Sequence, residues 1–303
     1  MKYNQAATLP VEKSLLSKAE INSYTENGYL SLSGVLNGSE LEELQSVTDE
    51  FIDKSREIKE SDTVFDLEPS HSFANPRLRR LKSPSKTHPV FKKTLSHTRI
   101  LDIVSQLIGP DIYTNGDKMN MKLPHVGSPV EWHQDWAFYP HTNDDLLAVG
   151  ICLDDSNKKN GCLMVVPGSH RGPTLDHHQD GHFVGAVTDR NFDPAAAVPI
   201  ELKAGDISIH HVRALHGSLP NKSDKARRLF LIQYAALDAW PLQPPQYMGT
   251  DFHEFDNYIL RGSPNFQPRM ADVPVRLPLP PAKRRGSIYE TQLELKESTF
   301  QKS

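Results

Sequence analysis

Between Ile112 and Ala236 the chain is written in short stretches of alternating apolar and polar residues, each cut off by a turn signal before it reaches helical length. Asn160-Gly161, Pro167-Gly168 and Gly205-Asp206 are the clearest of these breaks. The pattern predicts strands at 112–114, 117–123, 129–133, 146–153, 162–166, 182–187, 198–202, 206–211, 216–219 and 227–236. Short strands that each carry one apolar face must close on one another, and the expected result is a double-sheet jelly roll with helices packed on one outer face.

Helical signals lie upstream. Ser17-Lys-Ala-Glu20 is a capping box, predicting a helix that turns Ile21 and Tyr24 inward and ends at Gly28, before an alternating strand at 29–34. After Asn37-Gly-Ser39, the residues Leu41, Leu44, Val47, Phe51 and Ile52 follow helical spacing to about residue 58. A third helix is expected over 97–108. Residues 59–90, rich in Ser, Pro and charge, read as a long loop near the active face, with His71 and His88 outside the ligand set.

The expected organisation is one domain over 1–303: helical support at 17–110, a jelly-roll core at 111–236 and a C-terminal arm at 237–303. Within the arm, 239–248 and 251–255 form an aromatic-rich stretch that could cross the mouth of the sandwich. Pro278-Leu-Pro-Pro281 with Lys283-Arg-Arg285 reads as an exposed tail rather than a polyproline ligand.

A net charge of −4 and a pI near 6.4 give no general basic field for nucleic acid or an anionic membrane. No apolar run is long enough to span a bilayer, and Met-Lys-Tyr-Asn-Gln lacks the apolar centre of a secretory signal. Cys152 and Cys162 are the only cysteines and read as small buried hydrophobes in a reducing compartment. These features predict a cytoplasmic protein; oligomeric state is left open.

The chemistry centres on Glu131-Trp-His-Gln-Asp135. On an extended strand His133 and Asp135 project from one face, roughly 6.5–7 Å apart along the backbone. Imidazole and carboxylate together suit non-haem Fe(II) when a second histidine completes a facial triad. An isolated His-x-Asp is weak evidence, since a hydrogen-bonded pair on a surface strand looks the same. The second histidine is expected at His216, which is followed by Gly-Ser and precedes Arg227 by eleven residues. His210 and His211 are the competitors. His177, His178 and His182 read as a solvated cluster in a polar loop, and His170 as a turn-stabilising residue.

Such a triad leaves room for 2-oxoglutarate and O₂, and the far carboxylate of the cosubstrate calls for a guanidinium fork. Alternation lets only one of Arg227 and Arg228 point inward, and Arg227 is preferred. Ser218 shares the face of His216 and offers either a hydroxyl to the same carboxylate or a bond to a turn carbonyl. Lys118, Asn120 and Lys122 share a face opposite Met119 and Met121; one of the three is expected at the cosubstrate, with Asn120 carried forward as the candidate. Arg213, Trp136, Phe138, Tyr139 and Trp240 are candidates for lining a substrate pocket.

These residues resemble the phytanoyl-CoA dioxygenase family of Fe(II)- and 2-oxoglutarate-dependent oxygenases. The matching pieces are Trp132-His-Gln-Asp135, Asn160-Gly-Cys-Leu-Met-Val-Val-Pro-Gly-Ser-His170, Gly205-Asp206, and His216-Gly-Ser218 with Asn221 and Arg227. The resemblance implies a mainly β fold with flanking helices around a double-stranded β-helix core. It further implies iron on His133, Asp135 and His216, 2-oxoglutarate on Arg227 with Ser218 assisting, and hydroxylation of a small molecule with release of succinate and CO₂. Ile151 stands where an aromatic is common in the family, which suggests a differently shaped cosubstrate wall. The missing peroxisomal address and basic site argue against a CoA thioester, and retention of Asp135 argues against halogenation. The competing reading is a non-catalytic jelly roll that keeps the metal or the cosubstrate as a structural element.

Overall fold

The computed structural model describes residues 15–243, 252–284 and 286–300. Its strands in chain order are β1 (Tyr29–Leu32), β2 (Phe65–Leu67), β3 (Leu78–Lys82), β4 (Ile112–Lys122), β5 (Val130–His133), β6 (Leu146–Cys152), β7 (Leu163–Val165), β8 (His178–Gln179), β9 (His182–Phe183), β10 (Val198–Ile200), β11 (Ile207–His211), β12 (His216–Ser218), β13 (Arg227–Ala236) and β14 (Ile259–Arg261). The helices are α1 (Lys18–Asn27), α2 (Gly38–Lys54), α3 (Pro89–Leu95), α4 (Thr98–Ile108), α5 (Phe252–Asp256) and α6 (Ile288–Thr291).

The large sheet runs β1-β11-β6-β13-β4-β3-β2, with β14 also on β4, and faces a small sheet ordered β10-β7-β12-β5. At its centre β13 pairs antiparallel with β4, from Arg227 opposite Lys122 to Ala236 opposite Ile112. Because side chains alternate, each central strand serves two environments. Met119, Met121, Phe230, Ile232 and Tyr234 turn outward to meet Phe51, Phe91, Ile100 and Val104 of the helical layer. Phe230 meets Phe91 edge-on at 5.4 Å, and the Tyr234 hydroxyl donates to Leu95 O at 3.0 Å. The opposite faces of the same strands carry Lys118, Asn120, Arg227, Leu229 and Leu231 into the space between the sheets.

The helices begin and end where their caps require. Ser17 and Glu20 form the reciprocal box of α1, and Gly28 closes it at φ 76. A side chain at Gly28 would be excluded twice, by that φ and by His170, whose Nδ1 would stand 2.4 Å from a Cβ.

Several expectations change. Residues 59–90 are not simply a loop: β2 and β3 extend the large sheet, and the charges that gave the stretch its loop-like composition are partly paired inside it, with Arg79 Nη2 2.6 Å from Asp66 Oδ1. Within that stretch, Pro89 also opens α3, whose N-cap is His88. The strand expected at 182–187 shrinks to β9, paired with β8 as a hairpin. Ile151 is no part of a cosubstrate wall; alternation along β6 sends Leu147, Val149 and Ile151 into the helix-side core.

The C-terminal stretch is largely exposed over the proline and basic residues, as expected, and then turns back into the fold. Lys283 and Arg284 are exposed, but Ser287, Ile288 and Tyr289 are buried again and Phe300 packs on Trp132 at 5.5 Å. Buried Glu131 holds this return, accepting from Thr299 N at 2.9 Å and Phe300 N at 3.3 Å, and from the Ser298 hydroxyl. Of the aromatic arm, 244–251 lie outside the described residues; Trp240 stacks on Phe255 at 5.6 Å.

Candidate iron and cosubstrate site

In the small sheet β5 and β12 run antiparallel with His133 directly opposite His216, so their rings meet at 4.0 Å. Two residues further along β12, Ser218 stands opposite Val130, three residues before His133. That bulge in β5 turns both Val130 and His133 toward the cavity. Gln134 stays extended, and Asp135 opens a short 3₁₀ turn, Asp135–Ala137, with one carboxylate oxygen 3.8 Å from His133 Nε2. One ligand-type atom from each of His133, Asp135 and His216 lies within 4.8 Å of the other two, and all three residues are buried.

The protonation pattern fits a divalent ion. His133 Nδ1 stands 2.8 Å from Glu131 O and His216 Nδ1 stands 2.9 Å from Ala214 O. A carbonyl only accepts, so each Nδ1 carries the hydrogen and each Nε2 is left with its lone pair. Burial favours neutral imidazole, lowering His133 to about 4 and His216 well below its ordinary value. For Asp135 burial pushes upward, but the Lys118 ammonium and His210 outweigh it and hold the carboxyl well below its usual range. Two neutral nitrogens and one carboxylate are the donor set that suits Fe(II).

At the other end of the cavity Arg227 is buried, and neither its Nε nor its Nη1 has a hydrogen-bond partner. A guanidinium has donors only, so a buried one without an acceptor is costly unless an anion joins it. Ser218 lines the same space, and the Asn120 side-chain oxygen is likewise unpartnered. Arg228 points the other way, where Asp154 Oδ1 at 2.8 Å and Asp49 Oδ1 at 2.5 Å neutralise it. Alternation therefore sorts the two arginines as expected.

The three polar residues of β4 have separate fates. Lys122 is a strut: its ammonium donates to Ser128 O at 2.8 Å, Ser218 O at 3.2 Å and Leu219 O, tying β4 to β12. Asn120 faces the arginine end. Lys118 lines the cavity beside Asp135, where burial lowers its pKa and the Asp135 carboxylate opposes that shift.

The other histidines divide by strand face. His210 lines the cavity with Nε2 3.6 Å from Asp135 Oδ2, but it stands outside the three-residue cluster. His211 turns away to Asp144 at 3.9 Å. His170 bonds Thr25 O at 3.1 Å, serving the end of α1. His177 is not solvated as its loop suggested: it is buried, accepts from Gln134 N at 3.1 Å and is lowered to about 3 by burial.

Of the residues proposed to line a substrate pocket, Phe138 packs edge-on against His133 at 5.9 Å. The others are engaged elsewhere. Arg213 pairs with Asp144 at 2.8 Å, the Trp136 indole donates to Pro274 O at 2.9 Å, Tyr139 takes the Gln233 amide, and Trp240 sits in its aromatic stack. Ile288, from the C-terminal return, lines the cavity without having been expected there.

The sequence model of the phytanoyl-CoA dioxygenase (PhyH) family matches residues 24–229. A probable alpha-ketoglutarate-dependent hypophosphite dioxygenase of Stutzerimonas stutzeri is 32% identical over 284 residues, covering 91% of this chain and 97% of that one. A 2-aminoethylphosphonate dioxygenase of the uncultured bacterium HF130_AEPn_1 is 26% identical, covering 83% and 99%. The crystal structure of EctD from S. alaskensis with 2-oxoglutarate and 5-hydroxyectoine shares the fold at a TM-score of 0.66 and 20% identity, over 88% of this chain and 91% of that one.

Proposed function

We propose, since the chain belongs to the phytanoyl-CoA dioxygenase family, that His133, Asp135 and His216 hold its iron and that Arg227, with Ser218 and Asn120, seats its 2-oxoglutarate. The protein is an Fe(II)- and 2-oxoglutarate-dependent dioxygenase that hydroxylates a small molecule and releases succinate and CO₂. The observation carrying the assignment is a neutral-His, neutral-His, carboxylate cluster with an unpartnered buried guanidinium beyond it in one cavity.

When bound, iron and 2-oxoglutarate supply the oxygen activation. The chain supplies position. Glu131 O and Ala214 O fix the imidazole tautomers, Lys118 keeps Asp135 ionised, and the buried walls Val130, Leu229, Leu231 and Ile288 exclude water. Arg227 presents a fork matched to the distal carboxylate.

The substrate is read as a small oxyanion of phosphorus, with hypophosphite first. Lys118 supports this: its side chain lines the cavity next to the triad, and its ammonium makes no hydrogen bond or ion pair among the described residues. The hypophosphite and 2-aminoethylphosphonate dioxygenases, which match most of this chain, are named for phosphorus anions. The reaction balances as hypophosphite, 2-oxoglutarate and O₂ giving phosphite, succinate and CO₂. The free, buried Cys152 and Cys162 suit a cytoplasmic setting, and residues 1–303 are read as one catalytic domain.

The test is phosphorus NMR with succinate measured in parallel, on protein loaded with Fe(II) and supplied with 2-oxoglutarate in air. One phosphite per succinate from hypophosphite is the expected outcome. If neither hypophosphite nor 2-aminoethylphosphonate raises succinate above the substrate-free level, the phosphorus reading is wrong; stimulation by ectoine alone would move the substrate to zwitterions.

A further inference from the structure

Tyr289 is 4% exposed, and its hydroxyl is buried without a hydrogen-bond partner. Its ring is fixed on several sides. Ile288 and Tyr289 pack with Val130 and Phe138, and the Arg79 guanidinium lies over the Tyr289 ring at 4.6 Å, itself held by Asp66. The segment is pinned before and after it. Ser287 N donates to Glu290 Oε2 at 2.7 Å, Glu131 N donates to Gln292 Oε1 at 3.0 Å, and the Gln292 amide donates to Gly185 O at 2.8 Å. Packing accounts for the ring and leaves the hydroxyl unexplained.

Burial raises the Tyr289 phenol to about 12, so the hydroxyl keeps its proton and can donate, and among side chains the Arg227 guanidinium is the one that opposes this shift most. Arg227 Nε and Nη1 are themselves buried and unpartnered, and the preceding residue, Ile288, lines the same cavity as Arg227 and Ser218. Buried donors without acceptors thus stand on Arg227 and, next to the lining residue Ile288, on Tyr289. A carboxylate offers about four lone-pair positions. The guanidinium fork uses two and the Ser218 hydroxyl one; the unpartnered atom of Asn120 is its carbonyl oxygen, which accepts and takes none, and this leaves one for a phenol.

We propose that Tyr289, delivered by the C-terminal return, donates its hydroxyl to the distal carboxylate of 2-oxoglutarate beside Arg227 and Ser218. This rests on the cosubstrate assignment above. It makes the last stretch of the chain part of the cosubstrate site and gives Glu131, two residues before His133, the task of keeping that stretch in place.

The experiment is anaerobic calorimetry of 2-oxoglutarate binding to the full chain carrying Mn(II). Tyr289→Phe is expected to weaken 2-oxoglutarate about tenfold, the worth of one hydrogen bond to a charged group. Affinity for Mn(II), and for 2-oxobutyrate, which keeps the keto acid head but lacks the distal carboxylate, is expected to stay unchanged. Parental 2-oxoglutarate affinity in Tyr289→Phe overturns the proposal, as does an equal loss for both keto acids. Arg227→Met separates the two layers: if it weakens 2-oxoglutarate while Tyr289→Phe does not, only the Tyr289 role falls. If Arg227→Met binds like the parent, the cosubstrate assignment falls and takes the Tyr289 role with it.

Discussion

Arg227 and Arg228 are adjacent, equally charged and opposite in meaning. Arg227→Lys keeps the charge but loses the fork, and is expected to raise the KM for 2-oxoglutarate by about tenfold or more in a succinate assay. Arg228→Ala leaves KM unchanged and lowers stability by about 1 kcal/mol, because it gives up only its bonds to Asp154 and Asp49. Asp135→Ala is expected to abolish succinate formation. His141 provides a test away from the iron. Burial lowers its pKa from 6.5 to about 4 while it bonds Tyr139 O and the Tyr113 hydroxyl. A depressed folded value means the unfolded chain takes the proton first. Its contribution is therefore intact above pH 6.5 and is lost as pH falls toward 4, at up to about 1.4 kcal/mol per pH unit. His141→Gln is expected to flatten the acid limb of a stability-against-pH curve; an unchanged slope would mean that other groups set it. At this scale the clustering of His133, Asp135 and His216 and the opposite orientations of Arg227 and Arg228 were legible, because period-two alternation acts over a few residues. Tyr289 did not stand out, since nothing local to it marks a residue that only the folded-back chain sets beside the cavity-lining Val130.

The long strands were the most readable elements. β13 occupies the 227–236 expected of it, since a continuous run packed on both faces leaves little freedom in its ends. Its outward residues bind the helical layer, and Phe230→Ala is expected to cost about 3–5 kcal/mol in urea denaturation, because the cavity beside Phe91 cannot close. The 59–90 stretch was opaque for a physical reason: β3 is a short strand held between β4 and the three-residue edge strand β2, the buried Asp66–Arg79 ion pair joins the two, and neither strand leaves an apolar alternation to read. Ile151 misled in another way. Its place in the family pattern says nothing of the alternation of β6, which turns Ile151 toward the helices.

Across the whole molecule, the net charge of −4 hides one cavity whose lining carries the opposite sign. Lys118 and Arg227 converge on a space whose one cavity-lining carboxylate among the described residues, Asp135, is committed to the triad. Lys122 adds a third cation, satisfied by backbone carbonyls rather than by an acid. Such a field is unstable alone and is offset when an anion joins it, as the dianionic 2-oxoglutarate would. No helix among the described residues is long and apolar enough to cross a membrane. If one iron is held by side chains from β5, the turn after it and β12, with the far end of 2-oxoglutarate on β13, diffraction at the iron absorption edge will show it in crystals grown anaerobically with Fe(II) and 2-oxoglutarate. One anomalous peak is expected between His133 Nε2, the Asp135 carboxylate and His216 Nε2, with the cosubstrate's distal carboxylate on Arg227. A peak elsewhere, or a cosubstrate whose far end avoids Arg227, would contradict it.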